Sequence, residues 1–356
     1  MLALLSVRSS QTQHSLNPWL IVTDTSSQIP SVTDRVRPVA TGAPVVAIKF
    51  LGETAVFALG EETLLFAAPD NAEQRVSVHA GGIMAVAADG KRIVTGGDDG
   101  KVVATNAKGE SEAVGEDAKH RWIDAVALGP DGAVAWSAGK QAFMRNAKGE
   151  IKSIDLPSNV GGLAFSPKGL RVAVAHYGGV TLWFPNAQAT PEMFAWKGSH
   201  LEVMFSPDGK FLVTTMQEST LHGWRLADAK DMRMSGYSAK VRSMAWTADG
   251  KWLATSGSEQ LILWPFGSKD GPMGKQPRML IPYDKRAVAV ACHSAQDVVA
   301  VGFEDGLVML SRLEDGAEIL AKKPGAAPVS ALAWNATGSK LAFGTEDGEA
   351  GIVDLG

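Results

Sequence analysis

Residues 200–226 read HLEVMFSPDGKFLVTTMQESTLHGWRL, from His200 to Leu226. Leu201, Val203 and Phe205 alternate with His200, Glu202 and Met204, and Ser206-Pro207-Asp208-Gly209 then turns the chain into a second run, Phe211 to Thr215. A polar break at Gln217-Glu218-Ser219 leads to a third run that ends at Trp224. Period-two alternation punctuated by Pro-Asp-Gly and polar clusters predicts short antiparallel strands joined by tight turns, a β-meander.

The unit recurs along the chain. A large or apolar residue stands four places before the first turn's glycine at Val86, Leu128, Phe165, Phe205, Trp246 and Trp334, and Phe50 and Cys292 hold the same place where the turn lacks that glycine. These anchors follow one another at intervals of about 41 residues, the spacing of propeller blades with four strands each. Residues 106–110 and 146–150 repeat the pentapeptide Asn-Ala-Lys-Gly-Glu, so the same turn chemistry is reused in the second and third copies. The expected fold is therefore all-β: one closed propeller of eight four-stranded blades. Seven is the alternative, should the weak first copy or the stretch near the seventh copy be peripheral. The last copy, Val329 to Leu355, has only three strands, and the run Arg37-Pro38-Val39-Ala40 can supply the fourth and remove two exposed edges. Residues 1–34, polar and aperiodic, are expected to form a flexible extension, with residues 35–356 as the propeller.

With 34 basic and 38 acidic residues, the net charge of −4 argues against a general nucleic-acid-binding surface. Cys292 is the only cysteine, which excludes an intrachain disulfide. Standing where other copies have Phe or Trp, it is expected to be a small buried hydrophobe. The opening MLALLSV is too short for a secretory signal or a membrane span, so the reading is a soluble, cytoplasmic protein without a membrane partner.

The turns Phe205-Ser206-Pro207-Asp208-Gly209, Trp246-Thr247-Ala248-Asp249-Gly250 and Phe165-Ser166-Pro167-Lys168-Gly169 resemble the first-turn motif of the WD-repeat (WD40) family. Trp183, Trp224 and Trp264 occupy that family's third-strand tryptophan position, and Glu304-Asp305-Gly306 and Glu346-Asp347-Gly348 resemble its acidic turn. The likeness spans about residues 36–356. It departs from the family in having no Gly-His dipeptide and no Trp-Asp at a repeat's end. The family's buried network of Asp, His, Ser or Thr, and Trp is therefore expected to be incomplete in every blade. His79, His120 and His200 stand near its histidine position at inconsistent distances of 7, 8 and 5 residues from the anchor.

No catalytic constellation is visible. Ala135-Trp136-Ser137-Ala138-Gly139 is a near miss to G-x-S-x-G, but Ser137 lies on a strand rather than a strand-to-helix turn. No phosphate-binding glycine loop opens a helix. The loops entering the inner strands carry His79, Lys119, His120, Arg121, Trp122, His200, Lys240, Arg242, Lys285 and Arg286, whereas the loops between second and third strands carry Glu61-Glu62, Asp98-Asp99, Glu218, Glu259, Glu304-Asp305 and Glu346-Asp347. One face should then show a basic inner ring and an acidic outer ring. That pattern suggests a noncatalytic, monomeric scaffold without cofactor, capturing a protein or peptide segment that is acidic or phosphorylated, with Trp122 as the aromatic anchor. The second reading is an enzyme or a metal or small-molecule binder that uses the central channel, with the three histidines as ligands.

Overall fold

The structure, a computed structural model, describes residues 29–356. Most of the expected extension, residues 1–28, lies outside the described residues. Among the described residues the regular elements are strands, apart from two short 3-10 turns at Thr33–Arg35 and Pro130–Gly132.

The recurring turn explains itself chemically. Ser206 Oγ donates to Asp208 Oδ1 at 2.7 Å and accepts the amides of Lys210 and Phe211. Thr247 and Asp249 repeat the arrangement at 2.7 Å, with Trp252 donating its amide to Thr247 Oγ1. Gly209 and Gly250 take the left-handed φ, 73° and 67°, that closes each turn. Ser or Thr, Asp and Gly at this spacing thus satisfy the orphan backbone groups of a tight connection, and a hairpin results.

Among the described residues there are seven antiparallel sheets, which pair sequential strands except where the first strand of the chain joins the last. This corrects the expectation of eight four-stranded blades: six sheets have four strands and the seventh has six, because the fourth and fifth sequence copies share one sheet. Its two long strands, Val172–Trp183 and Glu192–Phe205, each change partner partway along. The first pairs with Val160–Phe165 as far as His176 and with the second from Tyr177 onward. The second passes at His200 to Phe211–Met216. Glycines permit the crossing: a Cβ at Gly179, φ 143°, would stand 2.1 Å from the Phe194 carbonyl oxygen. Periodicity alone cannot distinguish two sheets from one whose strands continue through a glycine bend.

The last sheet closes as expected, with Val36–Pro38 antiparallel to Ala350–Asp354. A second tie lies just before it. Ser31 bridges Leu320 in parallel, Val32 donates to the Leu320 carbonyl, and Leu320 donates to that of Pro30. The segment thereby spans the seventh and eighth copies.

The core lies between neighbouring sheets. Leu65, Phe57 and Val45 of the first copy pack with Ala342 and Ile352 of the last, and Phe211 and Leu221 of the fifth pack with Leu253 and Trp264 of the sixth. Second strands are buried on both sides, as in Phe211–Met216, so they read as continuous apolar runs. The ring of sheets fixes every loop entering an inner strand on one face, around the channel mouth.

Candidate functional site

Two of the histidines expected on this face lie beneath it. His79, 7% exposed, stands between Thr95 Oγ1 (2.8 Å) and Asp99 Oδ1 (3.0 Å). Burial alone would raise the Asp99 carboxyl, but the amides of Ala80 and Lys101 together with His79 hold it below its ordinary value. His200, 1% exposed, faces Thr214 Oγ1 at 2.8 Å and donates its Nε2–H to the Trp196 carbonyl at 3.0 Å. In the sixth copy Tyr237 takes the histidine's part. Trp264 Nε1–H donates to the Tyr237 hydroxyl at 2.6 Å, and that hydroxyl lies 2.8 Å from Thr255 Oγ1. None of these three sets contains all four members of the WD40 network, yet each is hydrogen-bonded internally.

The register explains the inconsistent spacing of the histidines. In the second copy Ala88 pairs with Ile93, as Phe205 pairs with Leu212 and Trp246 with Leu253, so Ala88 and not Val86 is the structural anchor there. Its turn is shorter by two residues. Counted from Ala88, His79 falls at the Tyr237 position, while His200 lies on the inner strand itself. The residues that sequence reasoning missed, Tyr237 and the second-strand threonines Thr95, Thr214 and Thr255, share one legible signal: each threonine pairs with the residue two before the structural anchor.

The loop before the third inner strand is the most rigidly built. Asp117 accepts the amides of Lys119 and Arg121 at 3.1 and 3.0 Å and the Arg121 guanidinium through both oxygens, at 3.1 and 2.6 Å. That guanidinium holds the Asp117 carboxyl down to about 2. Arg121 also donates to Gln141 Oε1 at 2.7 Å. His120 takes a left-handed φ of 51° and is exposed, as is Lys119. Trp122 emerges from this locked loop with 58% of its surface exposed.

The two other arginines and Lys285 are shared with acidic neighbours, and Lys240 with an amide. Arg286 meets Glu304 Oε1 at 2.6 Å, Lys285 meets Asp284 at 3.3 Å, and Lys240 reaches Gln217 Oε1 at 3.5 Å. Arg242 meets Glu346 at 3.7 Å, although the seventh copy separates theirs. The inner strands share a register shift near their start, which leaves Val46, Met84, Gly161, Val288 and Ser330 outside the regular ladder. Val46 and Met84 are exposed, at 43% and 45%. The face therefore has an apolar arc over the first three copies and a mutually neutralised charged arc over the last three.

Deeper in the channel Glu202 is open to solvent along the bore, yet protein surrounds it on every side. That desolvation pushes its carboxyl up to about 7, against the opposing pull of Lys49. The same desolvation lowers the Lys49 ammonium. His79, His120 and His200 do not converge, and among the described residues no group of three His, Cys, Asp or Glu could hold a metal. Burial pushes the Cys292 thiol up to about 12, away from nucleophilic use at neutral pH. The opposite face carries a cleft of about 830 Å³ between the fifth and sixth copies, but its Arg225, Lys210 and Lys251 are held by Asp228 and Asp270, Asp208 and Asp249 respectively. Among the described residues no helix is long and apolar enough to cross a membrane.

Residues 291–356 match the family model of the anaphase-promoting complex subunit 4 WD40 domain, and residues 72–103 and 231–264 match that of the WD domain, G-beta repeat. No curated protein matches the chain. Among solved structures, the crystal structure of the computationally designed Ika8 protein is similar at 16% identity and a TM-score of 0.72, over 90% of this chain and 98% of that one. At that identity the likeness bears on fold alone. WD40 propellers commonly serve as protein-interaction scaffolds and are typically noncatalytic. The two family matches and the ring of antiparallel sheets together support a WD40-repeat propeller, the fold that the repeats resemble.

Proposed function

We propose that the protein is a noncatalytic scaffold that binds a protein or peptide segment across the face of the loops entering the inner strands, with Trp122 as its anchor. The observation that carries this reading is a 58% exposed tryptophan on a loop already fixed by Asp117 and Arg121. A rigid aromatic group loses little entropy when it is buried, and such residues dominate interface energies. Met84 and Val46 extend the apolar contact around the mouth. Lys119 and His120 flank the anchor, while Lys240, Arg242, Lys285 and Arg286 border the far side. An acidic or phosphorylated segment would be oriented by these charges more than held by them, since Arg121, Arg242 and Arg286 already share carboxylates. His79 and His200 support the face from below.

Recovery of cross-linked partners from native cells, with wild type and Trp122→Ala as baits, tests the reading. Loss of about 2 kcal/mol at a central anchor weakens binding roughly thirtyfold. A partner recovered by wild type should then be largely lost with Trp122→Ala and retained with Lys269→Ala on the opposite face. Equal recovery with Trp122→Ala would remove the anchor and this reading with it.

A further inference from the structure

The merging of the fourth and fifth copies builds a second feature of the same face. Where Val172–Trp183, Glu192–Phe205 and the turn after Phe211–Met216 meet, a cleft of about 370 Å³ opens. Its apolar walls are Tyr177, 56% exposed, with Trp196 and Met216, and its charged groups are Lys197, Glu218 and Arg233. One face of the Trp196 indole is covered by the His222 ring, stacked 3.9 Å away at 16°, which leaves the other face for the cleft.

Both aromatic walls are fixed from behind by buried histidines. His176 donates its Nδ1–H to the Tyr177 carbonyl at 2.9 Å, with its Nε2 at 2.9 Å from Thr181 Oγ1. His200 holds the Trp196 carbonyl in the same way, and Ser158 Oγ accepts the Tyr177 amide at 2.9 Å. The walls are therefore preorganised, which is the expensive part of building a binding site. The charges are not spent internally. The side chains of Lys197, Glu218 and Arg233 make no hydrogen bond or ion pair among the described residues, in contrast to those of Arg121, Arg242 and Arg286 on the same face.

We propose that this cleft binds a planar aromatic group carrying a carboxylate or phosphate. The ring would stack between Tyr177 and Trp196, and the anion would lie between Lys197 and Arg233. Two cations against one carboxylate favour an anion over an ammonium, and an arginine supplies paired donors to either oxyanion. Glu218 would exclude ligands whose anion points toward the turn after Met216. The site is separate from Trp122, so its fate does not depend on the scaffold reading.

Ligand-observed NMR and calorimetry with N-acetyl-tryptophan provide the test, with N-acetyl-tryptophanamide and tryptamine as the uncharged and cationic counterparts. The acetyl-Asp-Trp-amide dipeptide supplies the same chemistry from side chains. N-acetyl-tryptophan should bind about tenfold more tightly than its amide, the effect of one charge-assisted contact. That advantage should vanish in the Lys197→Ala/Arg233→Ala double variant. Tyr177→Ala, which removes a largely exposed ring, should weaken both ligands while leaving the circular dichroism spectrum unchanged. Tighter binding of the dipeptide would assign the anion to a partner segment, and tighter binding of the free carboxylate to a small molecule. Preference for tryptamine, equal binding of the amide, or indifference to Tyr177→Ala would each overturn the proposal.

Discussion

The second and fifth copies place a threonine at the same point of the second strand and a histidine against it, yet they use the rest of the arrangement differently. In the second, His79 lies between Thr95 and Asp99, and Asp99 also takes two backbone amides. In the fifth, His200 reaches Thr214 from the inner strand, and its remaining N–H goes to the Trp196 carbonyl. The carboxylate of Glu218, four residues after its threonine as Asp99 is after Thr95, makes no hydrogen bond among the described residues. One template thus yields a sealed structural network in one copy and an open charged rim in the other. A histidine shifted onto the strand releases the turn's carboxylate, and the released group becomes part of a surface.

The largest expected contrast is in stability. His79→Ala leaves Thr95 the Val103 carbonyl as a fallback and leaves Asp99 its two amides and solvent, so a loss of about 1–2 kcal/mol is expected. His200→Ala deletes a ring that packs against Trp224 and His222 and strands the Trp196 carbonyl, a cavity and an orphan acceptor together, for about 3–4 kcal/mol. Urea unfolding of the two variants side by side measures both. A greater loss in His79→Ala would show that the Val103 carbonyl and the two amides do not make up for the histidine.

Acid separates the copies next. Desolvation lowers the His222 imidazole to about 4 and lowers His200 as well. Each is neutral when folded and protonates more readily when unfolded. Their contribution is therefore complete above the ordinary histidine value near 6.5 and is lost as pH falls through the folded values. For His222 the loss amounts to roughly 2–3 kcal/mol between pH 6.5 and 4. Asp99, held below the ordinary aspartate value, loses its contribution only as the pH falls below about 4. His222→Phe keeps the stack on Trp196 and removes two ring nitrogens that have no hydrogen-bond partner. It should flatten the higher window and leave the lower one intact. A melting temperature in His222→Phe that still falls steeply between pH 6.5 and 4 would assign that window to other groups.

The division between legible and illegible features follows the range of the interactions. The Ser206 and Thr247 turns, the second-strand runs and the closing Val36–Pro38 strand rest on contacts within one hairpin or on a missing fourth strand, and a sequence displays both. The merged sheet does not show, because Gly178-Gly179 reads as a turn whether the flanking strands stop or change partner. The candidate face was legible as a set of loops and as Trp122. Its charges were legible one by one but their pairing was not, because Arg242 meets Glu346 only across the mouth. His79 and His200 were legible as histidines of this region but not as buried ones, since burial depends on a two-residue difference in turn length that shifts the register.

The smallest effect is the sharpest discriminator, because it compares two carboxylates at one topological position. Asp99→Asn keeps the shape but offers His79 and the amides of Ala80 and Lys101 a neutral acceptor, and the amide's NH₂ would face donors at one of its two ends. A loss of about 1 kcal/mol is expected, since hydrogen bonds to charged groups are roughly twice as strong as neutral ones. Glu218→Gln breaks no hydrogen bond and should change stability by less than about 0.5 kcal/mol. It also removes the one carboxylate that lines the cleft with Lys197 and Arg233, so it should tighten N-acetyl-tryptophan while leaving the fold alone. The pair of variants therefore crosses over: Asp99→Asn moves the unfolding midpoint and not the ligand, Glu218→Gln the ligand and not the midpoint. If Glu218→Gln destabilised the protein as much as Asp99→Asn does, its carboxylate would belong to the interior network, and the fifth copy would be as sealed as the second.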